Sequence, residues 1–190
     1  MLLTTLVFLA SLPIQPADST TAQTEMLGSD VPDEFKTGYH ARNDAQEMTE
    51  LVAAPETVEN WSRLITLQMF FGAAPRVSAE GFYGQWRDSM RRACAGLTDT
   101  MVRGTVDGRP AIRGTLSCPN NPQTGKPENL EAVLVQGDVN LMMVQVAFRR
   151  PPTAADAALV RRVVGSLKVC DQRALRSCSA RKAAGFQPAT

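Results

Sequence analysis

Residues 100–118 read TMVRGTVDGRPAIRGTLSC, and this stretch contains a strong hairpin signal. Asp107-Gly108 stands between two segments in which apolar and polar residues alternate. Asp-Gly is a strong signal for a tight turn between antiparallel strands, because both residues adopt a positive φ at low cost. The stretch therefore predicts a β-hairpin with strands at 100–106 and 111–118. Gly137-Asp138 predicts a second hairpin, with strands at 130–136 and 140–149.

Two of the four cysteines stand at the ends of apolar stripes on neighbouring elements. Cys94 ends a helical stripe, and Cys118 ends the strand stripe of the first hairpin. The other members of the helical stripe are Phe82, Trp86 and Met90. We therefore expect the two thiols to face each other, which predicts a Cys94–Cys118 disulfide and leaves Cys170–Cys178 as the second pair. In the chain-entropy model, a bridge that closes a loop of about 25 residues stabilises a fold by about 3 kcal/mol.

A redox or metal site is the alternative interpretation of the cysteines. The chain has no CxxC motif, its cysteine spacings are wide, and it contains one histidine. These features are unlike those of thiol redox motifs and zinc sites. We therefore expect no metal.

The N-terminus carries an apolar run with the length of a secretion signal. Leu2–Leu12 is almost continuously apolar and is followed by Pro13 and Pro16. A bilayer span needs about 20 apolar residues, so the run is too short for one. It predicts a signal peptide at 1–22, cleaved after Ala22, with Ser19 as the second choice. No Lys or Arg precedes the run, which keeps a misassigned start codon or a buried N-terminal segment open.

If the chain is exported, its four cysteines are expected to form two disulfides, since disulfides persist in oxidising compartments. We therefore expect a periplasmic or secreted protein with no transmembrane segment. The rest of the chain is long enough for one domain with one core. The expected organisation is a flexible lead-in at 23–32, a single α+β domain at 33–171 and a basic C-terminal tail at 172–190.

Hydrophobic periodicity predicts the remaining elements. Alternation predicts a hairpin of 34–40 with 47–53, a strand at 63–71 and a final short strand at 168–170. Ser78 and Thr153 are the expected N-caps of helices that run to about Ala95 and Leu167. The segment PNNPQTGKP at 119–127 has the composition of a loop. The predicted fold class is α+β: a central antiparallel sheet of about six to seven strands flanked by two main helices.

Successive strand residues point to opposite faces, which divides the sheet into an apolar and a polar side. Ile65, Ile112 and Val133 are typical of the apolar side, which we expect both helices to cover. The polar side is the candidate ligand or partner face, with Gln68, Arg103, Arg113, Gln136 and Gln145. Trp61, which precedes a strand, joins this set as a candidate pocket residue. The alternatives are a solvated or partly covered face and simple core or edge packing of Trp61.

Charge is distributed unevenly along a chain whose net charge is +1. Residues 23–59 hold nine acids, and residues 149–190 hold nine bases. The basic end is a candidate arm for an anionic envelope polymer or lipid surface, whereas mutual neutralisation or solvation is the alternative. Without a basic patch that is interleaved with aromatic residues, we expect no nucleic-acid partner.

Candidate catalytic groups are few. His40 is the single histidine, and no serine or cysteine pattern accompanies it. Glu56 with Glu59, and Glu128 with Glu131, have helical spacing but lie in or near turns. P-loop, GxGxxG, HExxH and EF-hand patterns are absent from the sequence. We therefore predict no catalytic residue and no cofactor.

The order of the elements resembles that of PsbP-like proteins. The segment 59–61 (ENW) that leads into 65–68, and the segment 118–127 (CPNNPQTGKP) followed by 144–145 and 169–171, are similar to a pattern in uncharacterised exported bacterial proteins. The resemblance spans roughly Asp33–Asp171. It implies an α+β sandwich that serves as an assembly or binding module, and it implies no activity.

These observations together predict an exported, non-catalytic binding or assembly module. Its partner would be an unknown protein or envelope component, which the polar sheet face or the 119–127 loop would contact. One alternative is binding of the basic C-terminal end to an anionic envelope polymer or lipid surface. The other is an atypical envelope hydrolase, in which His40 would approach a carboxylate or a hydroxyl inside a cleft.

Overall fold

The structure is a computed structural model that describes residues 25–171 and 185–189. The described part contains ten strands and two helices. The elements are β1 (Glu25–Gly28), β2 (Phe35–Arg42), β3 (Gln46–Ala53), β4 (Arg63–Phe70), α1 (Ala79–Ala93), β5 (Thr98–Val106), β6 (Arg109–Asn121), β7 (Lys126–Gln136), β8 (Leu141–Phe148), α2 (Ala154–Gly165), β9 (Lys168–Asp171) and β10 (Gln187–Pro188). The predicted signal peptide, the residue Cys178 and most of the basic tail lie outside the described residues.

Eight strands form one antiparallel sheet in the order β10-β5-β6-β7-β8-β4-β3-β2. The predicted hairpins are present: β2 pairs with β3, β5 with β6, and β7 with β8. The α+β class with a central antiparallel sheet and two helices is confirmed. The expected count of six to seven strands is too low, because the short strand β10 extends the sheet beside β5.

The two helices begin at the predicted caps. The Ser78 hydroxyl accepts a hydrogen bond from the Gly81 backbone N–H. Thr153 forms a capping box with Asp156, in which each side chain accepts from the other residue's backbone N–H. Both helix starts could therefore be read from the sequence.

The helices cover opposite faces of the sheet. The α2 face is the one covered by helix α2, and its buried cluster includes Ile65, Val133 and Val144. The α1 face is covered by helix α1, and its buried cluster includes Ile112 and Leu134. The structure is therefore a layered sandwich with an apolar cluster on each side of the sheet.

The prediction that both helices cover one apolar face is wrong. In the β6–β7 ladder, Ile112 pairs with Leu134, and Arg113 pairs with Val133. Directly paired residues lie on the same face of an antiparallel sheet. Ile112 therefore belongs to the α1 face, and Arg113 lies on the α2 face beside Val133. Alternation separates the two faces of one strand, but the register decides how they match those of the next strand.

A disulfide joins Cys94, at the end of α1, to Cys118 on β6, with a Cα–Cα distance of 6.0 Å. This confirms the predicted bridge between helix and sheet. Cys170 is also disulfide-bonded. Its predicted partner, Cys178, lies outside the described residues.

Strand β1 lies inside the segment 23–32 that was expected to be a flexible lead-in. It pairs with β9 in a separate two-stranded sheet. The buried Glu25 carboxylate accepts backbone N–H bonds from Asp138, Val139 and Asn140 at 2.8, 2.9 and 3.0 Å. These bonds fix the segment to the turn between β7 and β8. The sequence did not predict strand β1, because the segment is held by hydrogen bonds to one carboxylate, and such bonds produce no apolar pattern in the sequence.

The predicted loop at 119–127 is shorter in the structure. Strand β6 continues to Asn121, and β7 begins at Lys126, which leaves a turn at 122–125. The β6–β7 register is irregular between Cys118 and Asn121. This irregularity accommodates Pro119, because proline cannot donate to a regular ladder. The extension reflects pairing between strands that composition alone does not reveal.

The last described residues, 185–189, pack against the sheet, although the sequence predicted a tail there. Gln187 and Pro188 pair with Thr105 and Gly104. Glycine is required at 104, since a Cβ there would lie 2.1 Å from the Gln187 carbonyl oxygen.

Neither helix in the described part of the chain is long and apolar enough to cross a membrane.

Candidate functional site

Part of the α1 face stays uncovered by the helix. Helix α1 packs on β6 and β7, and its Phe82 ring contacts Phe70 of β4 in a tilted arrangement, with a centroid distance of 4.4 Å and an interplanar angle of 51°. Beyond Phe70, strands β3, β4 and β8 present polar side chains on this face. We call this set the polar strip; its members are Gln46, Glu50, Thr66, Gln68 and Gln145.

Strand register places members of the polar strip side by side, although Met48 and Met143 flank Gln68 on the neighbouring strands. Thr66 pairs with Glu50 on one side and with Gln145 on the other. The Gln68 amide donates a hydrogen bond to the Gln46 side-chain oxygen at 3.0 Å. Thr66 is buried, whereas the other four side chains are partly exposed. The strip is thus a row of hydrogen-bonding groups carried by three adjacent strands.

The structure brings together only two of the six predicted face residues, Gln68 and Gln145. Gln136 shares their face but holds the start of α1: its amide donates to the Ala74 carbonyl at 2.7 Å, and its oxygen accepts from the Ala79 N–H. This bonding assigns Gln136 to the scaffold.

The other three predicted residues lie elsewhere. Arg103 is on β5, next to the short strand β10, and forms an ion pair with Glu80 of α1. Arg113 is on the α2 face and pairs with Glu131. Trp61 is buried, with 7% of its surface exposed. The expectation that the six residues form one surface is therefore wrong. Register places Arg113 on the opposite face, whereas Arg103 shares the α1 face with Gln68 but lies on β5, beyond β6 and β7.

Glu50 is the one acidic member of the polar strip. Burial raises the pKa of Glu50, and the nearby Glu128 carboxylate raises it further, while Arg149 acts in the opposite direction. Glu50 and Arg149 are therefore close enough to influence each other electrostatically.

An open cleft of about 380 Å³ lies where β8 ends. The loop between β3 and β4, the end of β8 and the start of β7 form its walls. Its lining residues are Pro55, Glu56, Asn60, Trp61, Ser62, Lys126, Arg149 and Arg150. A volume of this size lies within the range of small-molecule sites.

Arg149 is the central cation of the cleft. Its guanidinium stands 4.1 Å above the centroid of the Trp61 ring, and Nη1 donates to the Glu59 carbonyl at 3.0 Å. Nε is buried and has no hydrogen-bond partner among the described residues. Burial lowers the pKa of Arg149 against the opposing effect of Glu128 and Glu50.

The two acids nearest the cleft walls are already satisfied. Glu56 accepts from the Ser62 N–H at 2.9 Å and from its hydroxyl at 2.5 Å. Burial alone would raise the pKa of Glu56, but hydrogen bonds from Ser62 and Arg63 lower it overall. Asp156 binds both terminal nitrogens of Arg150. Lys126 and Arg149 hold no ion pair within residues 25–171 and 185–189.

The sequence analysis placed Lys126 in the candidate loop at 119–127 and Arg149 and Arg150 in the basic end at 149–190, but it did not predict that these three residues line one cleft. A usable signal was present: Arg149-Arg150 ends a strand just before Pro151-Pro152. Cations at strand ends lie at the rim of a sheet, where loops form clefts.

His40 is exposed on β2, the edge strand. Its Nδ1 lies 3.0 Å from the Thr49 hydroxyl, and its Nε2 lies 3.8 Å from a Glu47 carboxylate oxygen. A hydroxyl and a carboxylate are thus near, as the hydrolase hypothesis requires, but His40 does not line the cleft. In the described part of the chain, no group of three or more His, Cys, Asp or Glu residues is arranged to hold a metal ion.

Comparisons with known proteins identify no family. No family model matches the chain, and no curated protein matches it. Matching solved structures include a point mutant of the protein Mog1, with a TM-score of 0.48 and 13% identity, covering 77% of this chain and 92% of that one. Another is the Saccharomyces cerevisiae Ran-binding protein Mog1p, with a TM-score of 0.44 and 12% identity, covering 72% of this chain and 79% of that one. At these values, no property of Mog1 carries over to this chain.

Proposed function

We propose that the chain is an exported, non-catalytic binding module that contacts a protein or another envelope component through the polar strip. The observation that carries this proposal is the strip itself, a group of hydrogen-bonding side chains on three paired strands, of which all but Thr66 are partly exposed. Such groups offer directional contacts without forming a catalytic constellation.

The scaffold around the polar strip is held at both ends of α1. The disulfide Cys94–Cys118 fixes the C-terminal end of the helix to β6. The Gln136 side chain fixes the N-terminal end through its bonds to Ala74 and Ala79. A surface that is ordered before binding loses less conformational entropy on association, which supports a recognition role.

The disulfides support the export part of the proposal. Cys94, Cys118 and Cys170 are all oxidised in the structure. Structural disulfides persist in the periplasm and outside the cell. Together with the predicted signal peptide, they favour a periplasmic or secreted location.

The antiparallel sheet between two helices agrees with the PsbP-like sandwich, which stays a proposal.

Site-specific photo-crosslinking in the native host tests the partner surface. A photo-reactive amino acid is placed at Gln68 or Gln145, with Arg161 as the matched control position. Arg161 is exposed on α2, on the opposite side of the sheet. We expect an adduct of one defined mass from both strip positions and none from the control. The substitution Gln68→Glu should reduce the adduct formed at position 145 without changing the melting temperature.

Equal adducts at all three positions, or none at the strip, would remove the polar strip as the partner surface. Export is tested separately by cell fractionation and by counting reactive thiols in denaturant. The proposal expects the mature protein outside the cytoplasm with no reactive thiols. Cytoplasmic protein with reduced thiols would contradict the export proposal. Binding of the basic tail to an anionic polymer stays a separate prediction, since most of that tail lies outside the described residues.

A further inference from the structure

The cleft at the end of β8 has an imbalance in its charges. Glu56, the one carboxylate among its lining residues, accepts hydrogen bonds from Ser62, and its lining residue Arg150 is paired with Asp156. Its other two cations, Lys126 and Arg149, hold no ion pair among the described residues. The cleft therefore presents two cations that hold no direct ion pair in the described part of the chain, while the Glu50 and Glu128 carboxylates act on Arg149 from a greater distance.

The missing ion pair costs more free energy at Arg149 than at Lys126, because Arg149 is partly buried and Lys126 is exposed. A guanidinium that is withdrawn from water is destabilised unless an anion or acceptors replace the lost hydration. The Arg149 guanidinium donates a hydrogen bond to one carbonyl and stands over the Trp61 ring. Its Nε has no hydrogen-bond partner within the described residues. The lowered pKa of Arg149 agrees with this incomplete compensation.

We propose that the cleft binds an oxyanion group, either a carboxylate or a phosphate, with Arg149 and Lys126 as its counter-charges. Asn60 lines the same cleft and is the neutral residue whose amide we expect to donate to the anion. Arginine and lysine beside a neutral amide donor are suited to either oxyanion. The cleft is open and has a volume of about 380 Å³, which leaves space beside a bound oxyanion.

Two carboxylates limit the affinity of the site. Glu50 and Glu128 both influence Arg149 electrostatically, and neither lies within ion-pair distance of it. The Glu128 carboxylate accepts a hydrogen bond from the Asn121 amide at 2.9 Å. Because both acids repel an incoming anion, we expect inorganic phosphate alone to bind with a dissociation constant on the order of 1 mM.

This inference rests on the proposed function for its biological meaning, since the cleft adjoins the polar strip at β8. The test titrates the purified, disulfide-bonded protein with sodium phosphate at pH 7, with sodium chloride holding the ionic strength constant. Two-dimensional NMR follows the Trp61 indole N–H and the Ser62 and Lys126 backbone amides. A second titration with acetate separates carboxylate from phosphate recognition.

We expect saturable shifts that are confined to the cleft. Arg149→Gln should weaken phosphate binding by about tenfold or more. Lys126→Gln, which replaces an exposed side chain, should weaken it by about threefold or more. Arg161→Gln, on the opposite face, is the matched control and should leave binding unchanged. If Arg149→Gln does not fold, Lys126→Gln alone decides the matter, because the Lys126 side chain is exposed and its replacement is not expected to unfold the protein.

Shifts that stay linear with concentration, or that persist unchanged in both cleft variants, would overturn the anion site. The two proposals fail in different ways. Strip adducts without anion binding would remove this inference alone. Anion binding without adducts at positions 68 and 145 would remove the polar strip and leave the cleft as an independent anion site.

Discussion

The substitution Asp156→Asn should destabilise the protein in a way that depends on pH. Asp156 is buried at the start of α2, where it binds Arg150 and both the backbone and hydroxyl groups of Thr153. Burial alone would raise the pKa of Asp156, but the hydrogen bonds from Arg150 and Thr153 lower it to about 2. The ordinary value is 3.8, so folding favours the ionised form.

The magnitude follows from this difference in pKa. A shift from 3.8 to about 2 corresponds to about 2 kcal/mol of stability when the carboxylate is ionised in both states. A lowered pKa contributes above the ordinary value and is lost as the pH falls towards the folded value. The contribution should therefore be about 2 kcal/mol at pH 7, about 1 kcal/mol at pH 3 and well under 1 kcal/mol at pH 2.

Urea unfolding of the wild type and Asp156→Asn at pH 7, 3 and 2 measures this effect as a difference in unfolding free energy. Asp30→Asn is the matched control, because Asp30 forms a similar two-bond pair with Arg162 but is 57% exposed. We expect no measurable change from the control, since exposed pairs are strongly screened. An Asp156→Asn deficit that is equally large at pH 2 and pH 7 would refute the electrostatic explanation and indicate lost packing instead.

Two further predictions concern the scaffold beneath the polar strip. Gly114→Ala should lower the melting temperature strongly, because a Cβ at Gly114 would lie 1.7 Å from the hydroxyl oxygen of buried Tyr83. Gly84→Ala on α1 is the control: its Cβ meets open space, and the variant should be more stable by up to about 1 kcal/mol. Equal melting temperatures for both variants would contradict the close packing of Tyr83 on the sheet. Replacing Cys94 and Cys118 together by serine should cost about 3 kcal/mol in urea unfolding, and a loss below about 1 kcal/mol would show that the bridge adds little to the scaffold.

The elements themselves were largely predictable from local pattern. The Asp107-Gly108 turn, the caps at Ser78 and Thr153, and the Cys94–Cys118 bridge depend on nearby residues and on strand or helix period. Local conformational preferences fix such features before any tertiary contact forms. Strands β1 and β10 escaped prediction, since each is short and held by contacts from distant residues.

The candidate site was predictable only in part. Gln68 and Gln145 were chosen correctly as residues of one polar surface, because alternation along β4 and β8 places them outside the apolar pattern of Ile65 and Val144. The polarity of Gln136 could not reveal that its amide holds the start of α1. The cleft was missed because three separate segments of the chain build it.

The sequence by itself therefore determined the α+β class, most of the strand and helix bounds, the helix caps and the disulfide between α1 and β6. Only the tertiary structure decided that the helices lie on opposite faces and that Arg113 faces away from Gln68. The physical reason is register: a shift of one residue between neighbouring strands exchanges their faces, and nothing local opposes that exchange. The same holds for Arg149, whose buried position over Trp61 arises from the meeting of β8 with a loop that precedes β4.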